Sequence, residues 1–179
     1  MGEPYHHGDL PRAIIAAGRA ELRLSTSPAA LSIRALARRV GVSAAAPYRH
    51  FPDRAALLSA IAAAGYRDAA ARLSPGAGAA VVGRVWARFL VEEPALATLM
   101  VTVTPEGELA VAVREWLGAV ASALELEEGG DPVALLQHAV GVWAGVHGLT
   151  SLREGGYLAG FDAWLLPDPA TLAERIAGG

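Results

Sequence analysis

Residues 32–54 read SIRALARRVGVSAAAPYRHFPDR, which divides into two short helices joined by a glycine turn. Ile33, Leu36, Ala37 and Val40 fall at helical spacing and give the first helix one apolar face, while Arg34, Arg38 and Arg39 point elsewhere. Ser32 is placed to cap that helix. Gly41 ends it, because glycine takes up left-handed backbone past a helix end without steric cost, and Val42 can then pack back across the corner. Ser43 is placed to cap a second helix, expected over Ala44 to about Phe51. Pro47 would be its fourth residue and would forfeit only the bond to the cap carbonyl, so the helix should survive it. A small residue at Ala37, the glycine after it and an alanine-rich second helix allow the close crossing that a helix-turn-helix requires. Ala44, Ala45 and Ala46 leave little bulk on the outer surface. Their methyl groups suit thymine methyls in a major groove, and Tyr48, Arg49 and His50 bring donors to phosphates or base edges.

The stretches on either side extend this unit. Asp9 is placed to cap a helix running to about Leu24, with Pro11 tolerated in its first turn, and Leu10, Ile14, Ala17, Ala20, Leu22 and Leu24 supply core. A loop with Pro28 follows. A long helix is expected from Pro52 or Asp53 through Leu73, with Leu57, Leu58, Ile61 and Ala64 facing inward. Its N-terminus, reinforced by Arg54, favours an anion such as a phosphate. SPGAG at Ser74 to Gly78 marks a boundary, so that residues 1–73 form one domain and residues 74–179 another.

Composition narrows the possible chemistry. With 53% hydrophobic residues among 179, the chain can bury a real core and is not disordered. It lacks an uninterrupted apolar run of membrane-spanning length and the basic and apolar regions of a signal peptide, so no membrane is expected and the cytoplasm is the default location. Absence of cysteine removes disulfides, thiolate metal sites and cysteine nucleophiles together. The net charge of −3 conceals an uneven distribution: ten arginines face five acids up to Leu73, and five face thirteen beyond it. A basic front and an acidic rear are what a chain shows when only its front meets nucleic acid.

Residues 5–66 resemble the N-terminal domain of the TetR family of bacterial transcriptional regulators. The resemblance is carried by YHHGDL at Tyr5 to Leu10, LARRVGVSAAAPYRHF at Leu36 to Phe51 and DRAALLSAI at Asp53 to Ile61. It includes the His6-His7 pair, which as helix neighbours with no further ligands nearby make a poor metal site. The resemblance implies an all-α protein: a three-helix helix-turn-helix head followed by a helical ligand-binding and dimerisation domain. It places DNA contacts at Ser32, Arg34, Ser43, Ala44, Ala45, Ala46, Tyr48, Arg49, His50 and Arg54, the last where the family usually sets a basic residue for the DNA backbone. The family commonly carries longer side chains where Ala44 and Ala45 stand, so shape readout is expected to outweigh hydrogen bonding to bases.

The rear half reads as helices over Ala79–Glu92, Pro94–Val103, Glu106–Leu126, Pro132–Arg153 and Pro169–Ala177. Trp86, Phe89, Leu90, Leu99, Met100, Trp116, Trp143 and His147 are the candidate pocket residues, although large apolar stripes of this kind usually form plain core. Gly141, Ala144, Gly145 and Gly148 recur at helical spacing. Each glycine costs a helix about 1 kcal/mol relative to alanine, so a close helix crossing, within the domain or between two copies, must compensate. Trp143, His147 and Gly148 form a Trp-x-x-x-His-Gly run similar to the TetR subgroup with the Trp-His-Gly type of C-terminal domain. By that resemblance Val133 to Arg153 and about Phe161 to Ala177 form a dimer surface that includes Gly141, Ala144, Gly145, Gly148, Leu152, Trp164, Leu172 and Ile176.

Catalysis finds no support in the pattern. His147 has no serine or carboxylate placed to complete a triad, the glutamates are scattered, no glycine-rich phosphate loop follows a strand, and neither cofactor nor metal is called for. The expected protein is a homodimeric regulator, a repressor, that binds a palindromic double-stranded DNA operator and is released by a small-molecule effector. The alternative is a helical small-molecule-binding module with no role in transcription.

Overall fold

The computed structural model describes residues 10–25, 27–124, 132–154, 156 and 167–177. The expected cap by Asp9, the Tyr5-His6-His7-Gly8 run, Phe161 and Trp164 lie outside them. The described residues hold α1 (Leu10–Leu24), α2 (Ile33–Val40), α3 (Arg54–Ala70), α4 (Ala79–Glu92), α5 (Pro94–Thr102), α6 (Gly107–Ala123), α7 (Pro132–Glu154) and α8 (Pro169–Ala177). Two short 3₁₀ turns, Pro28–Ala30 and Ala46–Arg49, complete the head. The protein is therefore all-α in its described part, as expected.

Local signals place most helix ends. Ser32 caps α2 by accepting the Ala35 N–H at 3.5 Å, and Gly41 leaves the helix with φ of 80°. The Val42 N–H then reaches back to the Ala37 carbonyl at 3.0 Å, which closes the turn. Asp53 caps α3 through the Ala56 N–H at 2.8 Å. That helix stops at Ala70 rather than Leu73, its end tightening through an Arg72 N–H to Ala69 carbonyl bond of 3.2 Å.

α3 lacks a one-sided apolar stripe because its neighbours change along its length. Near its start it packs on α1, where the Ile61 side chain lies beside Gly18. Farther on it runs between α5 and α6. Tyr66, buried, donates its hydroxyl to the Met100 carbonyl at 2.8 Å, and Arg67 pairs with Glu108 at 2.8 Å and Glu115 at 3.1 Å. The SPGAG segment is docked as well: the Gly76 and Gly78 N–H groups bond the Ser122 and Ala123 carbonyls at the end of α6, at 3.0 and 2.8 Å. In the rear half α4 is central and packs against α5, α7 and α8. Trp86 and Trp116 are fully buried there.

Candidate nucleic-acid interface

The second helix of the reading unit differs from expectation. In place of an α-helix over residues 44–51 there is a 3₁₀ turn at Ala46–Arg49, and Ser43 makes no side-chain cap. Pro47 explains the change. It has no N–H for the Ser43 carbonyl, which instead accepts from Ala46 at 3.1 Å, and Tyr48 bonds Ala45 at 3.3 Å. The loss of one α-type bond thus tightened the whole turn. The segment is held from inside by buried Pro47 and Phe51, whose backbones join at 2.9 Å. Between these anchors Tyr48, Arg49 and His50 are left outward and exposed.

Most of the other residues expected to touch DNA are likewise at the surface. Ser32, Arg34, Ser43, Ala44, Ala45 and Arg54 are also exposed, and Ala46 is half-buried. An open cleft of about 440 Å³ is lined by Ser43, Ala46, Arg49 and His50 together with Leu10, Gly41 and Val42. Among the described residues Arg34, Arg38 and Arg49 form no ion pair, so their charge is available to a ligand. Arg39, by contrast, is engaged by Glu21 at 2.8 Å. Arg38 is not among the expected contacts; its place one turn from Arg34 follows from helical spacing, but that Arg39 and not Arg38 is paired with Glu21 is set by the tertiary structure.

Arg54 has a task that the sequence did not show. Its Nε donates to the Leu31 carbonyl at 3.1 Å and an Nη to the Pro28 carbonyl at 2.6 Å. The side chain braces the turn before α2 against the start of α3, so a phosphate would meet an anchored guanidinium rather than a free one.

In the rear half the candidate pocket residues do come together, chiefly by packing on one another. Trp86 lies 5.5 Å from Trp116, 5.3 Å from Trp143 and 6.4 Å from Phe89 between ring centroids, and Tyr66 of α3 lies 6.1 Å from Trp86. Leu90, Leu99 and Met100 are buried alongside. Tyr66 is a member that the sequence pattern did not indicate, because its place depends on where α3 runs. Burial pushes its phenol well above the usual range.

The Trp86 indole N–H donates to His147 Nδ1 at 3.3 Å, which puts the ring proton on Nε2, 3.5 Å from Ser151 Oγ. Burial holds the His147 pKa below its ordinary 6.5. The indole N–H groups of Trp116 and Trp143 are buried and have no acceptor among the described residues. Each leaves a donor that an acceptor atom could satisfy.

The α7 glycines separate into two roles. A side chain at Gly145 would collide with Ile176 and lie 4.0 Å from Leu172, so this close approach is made within the chain, to α8. Gly141 and Gly148 have nothing within 4 Å of the position a side chain would take. They share a face with exposed Val140, Ala144 and Leu152, opposite buried Ala139, Val142 and Val146.

No group of histidines and acids among the described residues is arranged to hold a metal ion, and no single described helix is long and apolar enough to cross a membrane. Comparison with known proteins agrees with the two-part architecture. Residues 14–61 match the family profile of bacterial regulatory proteins, tetR family, and residues 79–178 match that of the tetracyclin repressor-like C-terminal domain. The second profile does not single out the Trp-His-Gly subgroup. Among solved structures the chain is similar to "putative regulatory protein SCO4313", with a TM-score of 0.69 at 21% identity over 98% of this chain and 100% of that one. No curated protein matches. A helix-turn-helix head with outward donors, joined to a helical rear domain and matched over most of its length by these two profiles, makes this chain a member of the TetR family, regulators and not enzymes.

Proposed function

We propose that the protein is a repressor that binds a palindromic operator as a homodimer and leaves it when a small molecule enters the rear domain. The observation that carries the reading is the pair of anchors Pro47 and Phe51, which hold Tyr48, Arg49 and His50 outward beside the unpaired Arg34 and Arg38. Exposed donors and free guanidinium groups on a helix-turn-helix suit phosphates and groove edges. Ser32, Ser43 and Arg54 would border the same contact, with Ala44, Ala45 and Ala46 setting how near the backbone comes to the bases.

Pairing is supported by α7. One face of α7 is largely apolar and yet uncovered: Val140, Gly141, Ala144 and Leu152 stay exposed in one chain, with Gly148 half-exposed and the polar Gln137 and Ser151 among them. A second copy related by a two-fold axis would cover that face and present two heads to half-sites about one helical turn apart. The proposed effector site is the aromatic cluster. Its makeup favours an apolar molecule that carries a hydrogen-bond acceptor for the free indole N–H groups of Trp116 and Trp143. Because Tyr66 in that cluster and Arg54 near the DNA belong to one helix, with a rise of about 18 Å between them, a tilt imposed at one end reaches the other.

Selection of bound duplexes from a random pool tests the reading. Enrichment of a palindrome with half-sites about one turn apart is the expected result. Recovery of asymmetric sites, or of none, would reject the two-fold arrangement.

A further inference from the structure

We propose that Glu93 is a positioning residue for the DNA-reading head: it clasps α1 to the corner between α4 and α5, and Phe89 beneath the clasp links it to the aromatic cluster. The head's orientation and the packing of the cluster then change together. The inference rests on reading the front as the DNA-binding end and the cluster as the effector site, and it adds a second route between them besides α3.

Glu93 occupies the break between two helices, where the chain turns from α4 into α5, and it is only 6% exposed. Both of its oxygens are engaged by the head. Arg19 of α1 donates from Nε to Oε2 at 2.8 Å and from Nη2 to Oε1 at 2.7 Å, a fork that fixes distance and angle at once. Arg23, one turn further along α1, donates to Oε1 at 3.1 Å. The same Arg19 Nη2 reaches Asp68 of α3 at 2.5 Å, and Asp68 also receives two bonds from Arg72 at 3.2 and 3.0 Å. Three elements distant in sequence therefore meet on one carboxylate pair.

Burial by itself would raise the carboxyl pKa of Glu93, but the hydrogen bonds from Arg19 and Arg23 outweigh it and hold the group below the usual range. The cluster is charged at neutral pH. A buried ion pair adds little net stability compared with apolar side chains of the same volume; what it fixes is geometry. Here the geometry fixed is that of α1, which α2 and the reading turn pack against.

Phe89 gives the clasp its connection to the rear domain. Its ring lies under both cations, with the guanidinium carbons of Arg72 and Arg19 at 4.9 and 5.8 Å from its centroid, and 6.4 Å from Trp86. A molecule that displaced Trp86 would press on Phe89 and so on the arginines above it. Coupling of this kind is reciprocal: what passes from cluster to head must pass from head to cluster.

Reciprocity allows a test that needs no effector. In a Trp164→Phe background the indole emission comes from Trp86, Trp116 and Trp143. A duplex taken from the selection above is titrated into that protein and into its Glu93→Gln and Asp68→Asn variants. The background protein should change emission in step with duplex occupancy. In Glu93→Gln the duplex should bind about fivefold or more weakly, and at saturation the emission change should be lost, since typical couplings are of that size. An emission change as large in Glu93→Gln as in the background, or none in the background at saturation, would overturn the clasp. Hydrogen exchange without DNA gives a second arm: Glu93→Gln should expose α1 amides to faster exchange and leave α6 protected. Equal α1 exchange in both proteins overturns the proposal by itself. Failure of the background protein to retain any duplex would strike the DNA reading instead, with the exchange arm still deciding on the clasp. Asp68→Asn leaves Glu93 paired with both arginines, so a partial loss of the emission change is expected even if Glu93→Gln does not fold.

Discussion

Two glycines of like surroundings and different expected fate allow the proposed dimer surface to be tested by one methyl group. Gly118 in α6 and Gly141 in α7 are both exposed, both lie within helices, and neither has an atom within 4 Å of where a β-carbon would stand. In an isolated chain each Gly→Ala change should stabilise its helix by about 1 kcal/mol. For a chain of this size that raises the melting temperature by about 2–4 °C. Gly118→Ala should do so. Gly141→Ala should not, if α7 of a second copy packs there, because the methyl then meets a surface already in contact. Overpacking costs about 1–3 kcal/mol per site, and the two-fold axis applies it twice, giving about 2–6 kcal/mol for the pair. Net of a helical gain of about 1 kcal/mol in each chain, the folded dimer loses up to about 4 kcal/mol. In Gly141→Leu the helical gain is felt in folded monomer and dimer alike and cancels from the dimerisation constant, so the overpacking by the bulkier side chain should weaken dimerisation roughly 30-fold to more than 10,000-fold. Sedimentation equilibrium over a range of concentrations reads the dimer, and thermal unfolding at the same concentrations reads the stability that depends on it. Equal stabilisation by Gly118→Ala and Gly141→Ala, with Gly141→Leu still fully dimeric, would refute the assignment of this face.

Three further outcomes are expected. Replacing Arg34 and Arg38 by alanine should weaken binding to all duplexes alike and reduce the slope of log affinity against log salt by about one for each phosphate no longer neutralised, measured by anisotropy at several salt concentrations. Tyr66→Phe removes the donor to the Met100 carbonyl in the last turn of α5 and should cost about 1–3 kcal/mol in denaturant unfolding, because that buried acceptor is left without a partner. Glu93 and Asp68 both titrate below their ordinary values of 4.5 and 3.8, so the unfolded chain binds protons first as pH falls. The stability they contribute is complete above about pH 5 and is lost as the pH drops through their folded values. The stability difference between the native protein and Glu93→Gln should accordingly be constant from pH 7.5 to about 5 and narrow below pH 4.5.

What could be read from sequence alone was whatever is written in neighbouring residues. The cap at Ser32, the helix start at Pro52 or Asp53, the left-handed exit at Gly41, the prolines that open α5, α7 and α8, and the apolar spacing within each helix act over one or two turns, so helix type and rough extent were largely legible. The donor run Tyr48, Arg49, His50 was legible as residue types, while its outward orientation rests on the burial of Pro47 and Phe51 on either side. Tertiary structure decided everything that depends on which helix comes to lie beside which. Pro47 could be seen, but whether its missing bond would be tolerated within an α-helix or tighten the turn was settled by the packing of Pro47 and Phe51 in the head. Arg54 looked free and is held by two carbonyls more than twenty residues earlier. Gly145 and Gly141 look alike in sequence, yet only the first touches α8. Arg19 and Glu93 stand 74 residues apart, and nothing local marks either as the other's partner. Contacts between helices are selected by the shape and charge of whole faces, and that information exists only once the faces have met.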